Sequence, residues 1–295
     1  MARRKKRKNP IKTFLTLTVI LVSVLFGVAK YCYPEKATEV QQWVQSQVER
    51  HTNKGTVIAT VAPTGTDIAT ENYLPTVSDK IQVLKNIGYI SAFSNDLSVP
   101  IWVGYVATYP FKFDTVKRPS SFIHDTRAYG SAEHRDYSNT GYDRGHMAPN
   151  YVIGRCYGEK AQMETFLLTN IVPQKPNMNR GVWCDIEQYI ANNLSKKYGK
   201  VLVFVGPIFK GNIAKLKGKV AIPTACYAVV MVMSKSREIS AIGFIVPQSP
   251  TKKSIWDYCV PIDEIERLTG IDFLPQLPDE IENKVESSTS ITAFR

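Results

Sequence analysis

Short apolar runs separated by turn-forming residues dominate the chain from about residue 80 onward. Two of these runs, Ile87–Phe93 and Pro100–Thr108, flank the polar segment Ser94–Ser98. Apolar runs bounded by turn residues predict a β-hairpin here. Three later runs predict further strands, at Val201–Val205, Tyr227–Met233 and Ile239–Val246.

Helical segments are interspersed among these strands without a regular βαβ alternation and without an internal repeat. They are predicted at Glu159–Phe166, Arg180–Tyr198 and Asp263–Leu268. Irregular mixing of strands and helices is typical of an α+β fold. We therefore predict a sheet with flanking helices rather than a doubly wound parallel sheet.

The region before the predicted domain opens with a basic run and the uncharged, mainly apolar stretch 13–29, bounded by Lys12 and Lys30. Seventeen helical residues span ~25 Å, at the low end for a bilayer. Two interpretations stay open, a retained membrane anchor and a cleaved signal peptide. Either one exports the rest of the chain, to the periplasmic or outer face of a bacterial inner membrane or into the medium.

Composition shifts then divide the chain into four parts. Residues 1–30 form the basic N-terminus with the anchor or signal peptide. Residues 31–71 form a stalk, with an amphipathic helix at 35–50, and a Thr/Gly/Pro-rich linker that begins at 51. Residues 72–283 form the main domain, and 284–295 a polar tail expected to fray.

The net charge of +11 is concentrated at the N-terminus. Residues 1–30 carry eight basic side chains and no acid, which leaves +3 for the other 265 residues. The charge is therefore weak support for phosphate binding. The five cysteines form no CxxC pair, so zinc-type spacing is absent; disulfides among Cys156, Cys184, Cys226 and Cys259 and free buried thiols both stay open.

The segment Asp-Arg-Gly-His-Met-Ala-Pro-Asn at 143–150 carries the strongest chemical signal. Hydrolysis of a phosphodiester needs an activated water and stabilisation of charge on the phosphoryl oxygens. His146 is the natural general base, because an ordinary imidazole is largely neutral near pH 7. Asn179 is a candidate metal ligand, and a weak neutral amide oxygen suits hydrated Mg²⁺ better than Zn²⁺.

Together with three later segments, this motif resembles the DNA/RNA non-specific endonucleases, the ββα-metal (His-Me finger) nucleases. Those segments are Leu168–Gln174, Asn177–Trp183 and Ile186–Glu187. The resemblance keeps the same order from about residue 72 to 283. It implies a ββα-metal fold with a central antiparallel sheet and flanking helices.

The resemblance also implies roles for individual residues. Asn179 would bind Mg²⁺, with Mn²⁺ as a substitute ion, and Glu187 would hold metal-bound waters. Asn170 would stand beside His146 at the end of a strand paired with the His146 strand. Arg144 and Arg118 would contact phosphate.

Several alternatives from the residues stay open. Asn179 could cap a helix, Asn170 could serve only a turn, and Arg144 could pair with Asp143. Arg127 could replace Arg118 as the upstream phosphate arginine. On one helix 180–198, Asn179 and Glu187 would lie about two turns and ~80° apart, which permits both to serve one ion.

These observations predict an exported, Mg²⁺-dependent endonuclease for DNA and RNA. A membrane-tethered protein that binds or takes up nucleic acid, with an inactive nuclease fold, is the alternative. Residues 13–29 would contact the membrane if they are not cleaved, and a homodimer is compatible with the resemblance. Phosphate-directed contacts cannot distinguish DNA from RNA.

Overall fold

A computed structural model describes residues 69–114 and 117–295. The apolar stretch 13–29, the helix predicted at 35–50 and most of the linker lie outside the described residues, so the predictions for them stay predictions. Among the described residues, no helix is both long and apolar enough to cross a membrane.

Antiparallel pairing dominates the strands. In chain order they are β1 (Ile81–Lys85), β2 (Tyr89–Ser94), β3 (Val99–Thr108), β4 (Asp143–His146), β5 (Ile171–Gln174), β6 (Lys200–Ile208), β7 (Lys215–Leu216), β8 (Val220–Ala221), β9 (Ala225–Met233), β10 (Ile239–Pro247) and β11 (Cys259–Val260). Seven of these form one antiparallel sheet in the order β1-β2-β3-β6-β9-β10-β11, while β4 pairs with β5 and β7 pairs with β8.

The helices are short. They are α1 (His134–Tyr137), α2 (Asn150–Tyr157), α3 (Glu159–Glu164), α4 (Pro176–Asn179), α5 (Val182–Tyr189), α6 (Ser195–Tyr198), α7 (Ile262–Thr269) and α8 (Asp279–Glu286). A π-helical turn, Ile190–Leu194, joins α5 to α6, and 3-10 turns lie at Thr70–Asn72, Leu168–Asn170 and Ile255–Tyr258. The predicted α+β class is confirmed.

Both faces of the large sheet are buried. Successive side chains of a strand point to opposite faces, so on β6 Val203 enters one apolar core and Phe204 the other. The first core includes residues of β5, α2 and α5, and we call this side the ββ face. The second includes residues of α7 and α8, and we call it the far face. Burial on both sides explains why the central strands are continuous apolar runs.

The predicted hairpin is confirmed, because β2 and β3 pair antiparallel. The other predicted strands are each extended by a few residues at their ends. The helix predicted at 180–198 is confirmed, with its start at Val182 and a π-helical turn inside it. The expectation that Asn179 lies on the same helix as Glu187 is wrong. Gly181 has φ −106° and ψ −122°, and a Cβ atom there would lie 2.5 Å from the carbonyl oxygen of Asn177. Asn179 therefore ends α4, while Glu187 lies on α5.

The expectation that the C-terminal tail frays is also wrong. Helix α8 continues to Glu286, and Phe294 is only 1% exposed. The hydroxyl of Tyr189 donates to the carbonyl of Phe294 (2.7 Å), and that of Tyr198 donates to the carbonyl of Ala293 (2.6 Å). A single buried phenylalanine in a polar segment produces no periodic pattern, so the sequence does not reveal this anchoring.

The cysteines of the described chain are thiols. Cys156, Cys184, Cys226 and Cys259 are unpaired. Burial raises the pKa of the Cys226 thiol to about 12, so it carries no thiolate at neutral pH. The sequence left both disulfides and free thiols open, and the described residues support free thiols.

Candidate active site

The Asp-Arg-Gly-His segment forms β4, which is fastened to β5 with His146 opposite Ile171. Gly145 is required at its place, because a Cβ atom there would collide with the side chain of Gln174 on β5. The chain after the strand is held as well, since the Met147 N–H donates to the Asn170 carbonyl (2.9 Å). These contacts fix the backbone that carries His146.

His146 packs against two phenylalanine rings. Its ring centroid lies 5.3 Å from that of Phe122 and 4.9 Å from that of Phe166. The segments that carry the two rings are joined, because the Ile123 N–H donates to the Phe166 carbonyl (2.9 Å) and the Leu168 N–H donates to the Ile123 carbonyl (2.9 Å). The imidazole is therefore enclosed by a rigid aromatic pair.

This pocket keeps the imidazole neutral. Burial, assisted by the positive charge of Arg118, lowers the pKa of His146 to about 3. Its Nε2 atom is buried and makes no hydrogen bond within the described residues. A free ring nitrogen on a neutral imidazole can accept a proton, and the enclosed position of Nε2 leaves that part to Nδ1.

Two arginines pack against this aromatic pair, one on each ring. The guanidinium carbon of Arg118 lies 5.3 Å from the Phe166 centroid, and that of Arg144 lies 5.7 Å from the Phe122 centroid. Contact with an aromatic face favours a guanidinium by electrostatics and orders it. The result is a neutral imidazole with a guanidinium group on either side.

Arg144 is anchored by its own contacts. Its Nη2 atom donates to the carbonyl of His134 (2.8 Å) and to the hydroxyl of Ser138 (3.0 Å). Arg144 and His146 are two residues apart on a strand, so they point to the same side and both reach Phe122. Neighbouring Asp143 points the other way. The alternative that Arg144 pairs with Asp143 is wrong.

Arg127 has a structural partner instead. It forms a two-pronged ion pair with Asp125, with its Nε at 2.9 Å from Oδ1 and its Nη2 at 2.7 Å from Oδ2. Asp125 is 2% exposed and also accepts from the Thr169 hydroxyl (2.6 Å). Arg118, rather than Arg127, lies at the histidine.

Asp143 binds the last residue of α4, Asn179, and the residue after it, Arg180. The Arg180 guanidinium donates to both of its oxygens (2.7 and 2.9 Å), and Asn179 Nδ2 donates to Oδ2 (2.9 Å). Burial raises the pKa of Asp143, but these hydrogen bonds outweigh it and the net shift is downward. Asp143 is thus a carboxylate that orients Asn179.

The orientation of Asn179 fits a metal ligand. A carboxylate only accepts, so the amide must turn its NH₂ group toward Asp143 and its Oδ1 atom away from it. Within the described residues no hydrogen bond uses Oδ1. A half-exposed amide oxygen held in this way is suitable for a hydrated hard cation. The helix-cap alternative is wrong, because Asn179 ends α4 and Gly181 precedes α5.

Glu187 lies on α5, among residues of the ββ-face core. Burial raises the pKa of its carboxyl to about 8, against a smaller opposing effect of the Trp183 indole. Trp183 itself is 1% exposed, as expected for a core residue. A carboxyl whose pKa is raised by burial is one whose ionised form would be stabilised by a nearby cation.

Asn170 is fully enclosed. Its Oδ1 accepts from the Ala148 N–H (2.8 Å), and its Nδ2 donates to the carbonyls of Ala148 (3.0 Å) and Thr165 (2.9 Å). It ends the 3-10 turn before β5, so the prediction that it ends a strand is wrong. With no exposed area, its amide clamps the loop after His146 and does not face solvent.

The sequence did not identify the two phenylalanines as part of the site. Phe122 and Phe166 lie 44 residues apart and belong to no motif with a chemical signature. The sequence offered only a weak signal. Phe122 follows Arg118 closely, and Phe166 lies two residues before the motif segment that starts at Leu168. Only the tertiary contact of the two segments makes them a pocket.

Comparison with known proteins identifies the family of this chain. The sequence model of the DNA/RNA non-specific endonuclease family matches residues 65–280. A nuclease from Nostoc sp. strain PCC 7120 is 36% identical over 162 residues, which cover 51% of this chain and 57% of that protein. Mitochondrial endonuclease G from Homo sapiens is 31% identical over 179 residues, which cover 56% and 59%.

The fold is shared with a chain from a crystal structure of the EndoG/EndoGI complex, a study of EndoG inhibition. The TM-score is 0.62 at 27% identity, with 66% of this chain and 86% of that chain covered. The chain spans less than three fifths of the length of the Nostoc and human relatives. Since the family match extends over more than half of its 295 residues, the chain belongs to the DNA/RNA non-specific endonuclease family.

Proposed function

We propose that this protein is a metal-dependent endonuclease that hydrolyses phosphodiester bonds of DNA and RNA. The observation that carries the proposal is the arrangement at His146, a neutral imidazole between two phenylalanine rings that each carry an arginine. A base flanked by two cations suits attack of water on a phosphate anion. Family membership supports the same reaction class.

In this proposal His146 takes the proton of the attacking water. Nε2 is enclosed, so we assign the base role to Nδ1. The positive charge of Arg118 disfavours protonation of the imidazole in the free protein. A bound phosphate would offset that charge and raise the basicity of His146, so the base would strengthen when substrate is present.

Arg118 and Arg144 bind the phosphate that is cleaved. Both guanidinium groups are oriented by aromatic rings, and Arg144 is also held by His134 and Ser138. A fixed, always charged guanidinium stabilises negative charge that grows on phosphoryl oxygens, without reorganisation. Asn170 acts as a positioning residue that clamps the loop after His146.

Asn179 would hold the metal ion through Oδ1, with Glu187 available to the ion's water shell and Asp143 fixing the amide. The ion supplies Lewis-acid stabilisation of the phosphoryl and leaving oxygens. Hard oxygen ligands favour Mg²⁺, with Mn²⁺ as the substitute. The raised pKa of Glu187 fits this role, because a nearby cation favours the ionised form.

We further propose that the domain is exported and that it acts on both sugar types. Support for export is the basic run followed by the apolar stretch 13–29, which lies outside the described residues. Support for both substrates is that each proposed contact is to phosphate, which DNA and RNA share. Protease accessibility in intact cells tests the first point.

The direct test is digestion of supercoiled plasmid and of structured RNA by the purified chain. We expect cleavage of both substrates with Mg²⁺ and none with excess EDTA or in His146→Ala. Equal cleavage in EDTA would reject the metal dependence. Absence of cleavage by folded protein that still retards DNA on a gel would favour the membrane-tethered binding protein instead.

A further inference from the structure

The far face of the sheet carries a second group of ionisable residues. Helices α7 and α8 pack there, with Ile262, Ile265 and Val285 in the apolar core of that face. The active-site residues His146 and Asn179 belong to strands and helices of the opposite, ββ face. Anything bound between α7 and α8 is thus separated from the proposed nuclease site by the sheet.

Three carboxylates converge between these two helices. Asp263 and Glu266 lie on α7 and Glu286 ends α8, and one oxygen of each lies within 4.8 Å of the others. Their burial is graded, because Asp263 is exposed, Glu266 half-buried and Glu286 only 6% exposed. The group is therefore open to solvent on one side and closed on the other.

Glu286 lacks a partner that its burial requires. Its Oε1 atom is buried and makes no hydrogen bond within the described residues. An ionised carboxylate oxygen that is buried without a partner is costly, so this oxygen would gain from a cation or a proton. Its position makes this worse, because the last residue of α8 lies at the negative end of that helix.

The surroundings supply further negative charge. The groups whose charge acts most on Glu286 are, in decreasing order, Glu266, Glu282, Asp272 and Asp263, and all are acidic. Glu266 is held in place, since one of its oxygens accepts from the Phe273 N–H (2.7 Å). A fixed, converging and uncompensated set of carboxylates favours a cation.

We propose that Asp263, Glu266 and Glu286 bind a divalent cation of the Ca²⁺ class that joins α7 to α8. Oxygens that share one Ca²⁺ at 2.3–2.6 Å can be at most about 5.2 Å apart, which accommodates the observed spacing. Ca²⁺ also accepts flexible coordination completed by waters, which the exposed Asp263 side allows. The ion stabilises the C-terminal helix and takes no part in cleavage.

This inference is independent of the proposed nuclease chemistry. The test is thermal unfolding and calorimetric titration of the full chain with CaCl₂, after removal of metals with a chelator. We expect one Ca²⁺ per chain at this site and a rise in Tm of roughly 3–6 °C at ten times the dissociation constant. Cleavage in Mg²⁺ should be the same before and after Ca²⁺ saturation of the site.

Variants that replace a carboxylate by an amide of the same size test which residues bind the ion. Glu286→Gln and the surface change Asp263→Asn should each weaken Ca²⁺ binding by at least about 10-fold, because ligand charge sets affinity in such sites. Glu282→Gln is the matched control, since it removes an equal charge from α8 without touching the three oxygens. Asn179→Ala should keep the Ca²⁺ effect, which separates this site from the nuclease metal.

Two results would overturn the proposal. One is a wild-type chain whose Tm and titration heat do not respond to millimolar Ca²⁺. The other is a Ca²⁺ response that is undiminished in Glu286→Gln and Asp263→Asn but lost in Asn179→Ala. In either case, cleavage that still needs Mg²⁺ and His146 would leave the nuclease proposal intact.

Discussion

The pocket at His146 and the carboxylate group at Glu286 each contain a titratable side chain, yet the two regions shift its pKa in opposite directions. At His146, burial and the nearby Arg118 act together and lower the pKa to about 3, so the imidazole is neutral. At Glu286, burial and repulsion from Glu266 and Glu282 together raise the pKa to about 9.

The two regions differ in the charge of the ligand that each would bind. The histidine pocket lacks an anion, because two guanidinium groups face it without a carboxylate partner in the described structure. The carboxylate group lacks a cation, or else a proton. The sheet separates the proposed nuclease site from the proposed Ca²⁺ site, and each can be tested without disturbing the other.

The largest expected contrast is in cleavage rate. His146→Ala should lower kcat by about 10²–10⁴-fold, the usual contribution of a general base, whereas Glu286→Gln should leave kcat in Mg²⁺ within about 2-fold. Initial rates of plasmid nicking, with circular dichroism as a check on folding, measure both. A large loss in Glu286→Gln would show that the two faces are coupled.

The next contrast lies between arginines. Arg118→Ala and Arg144→Ala should each lower kcat/KM by about 10–10³-fold, because each removes a cation from the phosphate position. Arg127→Ala is the control, and it should keep its activity per folded molecule. It should instead lose about 1–3 kcal/mol of unfolding free energy, because the buried Asp125 loses charged hydrogen bonds. Activity loss without stability loss in Arg127→Ala would reinstate that residue as the phosphate ligand.

Asn170 tests the structural support of the pocket. Asn170→Ala should lower the free energy of unfolding by about 2–5 kcal/mol, because it leaves the N–H of Ala148 and the carbonyls of Ala148 and Thr165 unpaired. Asn192→Ala, which removes an exposed amide bonded to Gln188, should cost less than about 0.5 kcal/mol. Urea unfolding measures both, and equal costs would contradict the clamp.

The last contrast is in the pH dependence of stability, measured in EDTA. His146 binds fewer protons folded than unfolded between about 3 and its ordinary 6.5, so stability rises with pH there. Glu286 binds more protons folded than unfolded between its ordinary 4.5 and about 9, so stability falls with rising pH there. His146→Ala should flatten the acidic slope and Glu286→Gln the alkaline slope. Unchanged slopes in unfolding curves measured from pH 3 to 9 would contradict the assignment.

Elements that depend on local sequence patterns were predicted correctly, whereas features that depend on contacts between distant segments were not. The hairpin and the long central strands were correctly predicted, since apolar runs and turn residues are local signals. The separation of Asn179 from the helix at 180–198 was not predicted, because it depends on the conformation of a single glycine, Gly181. The buried tail was missed for a related reason, as Phe294 gains its partners, such as Tyr189, from a distant segment.

By itself the sequence determined the class of fold, the ordered motifs of the family and His146 as the candidate base, because these depend on residue type and spacing. Only the tertiary structure decided that Arg118 rather than Arg127 meets His146, and that Asp143 orients Asn179 rather than Arg144. It also brought Phe122 to Phe166, and Asp263 to Glu286. These choices depend on side chains that approach each other across the fold, and local pattern does not encode such distances.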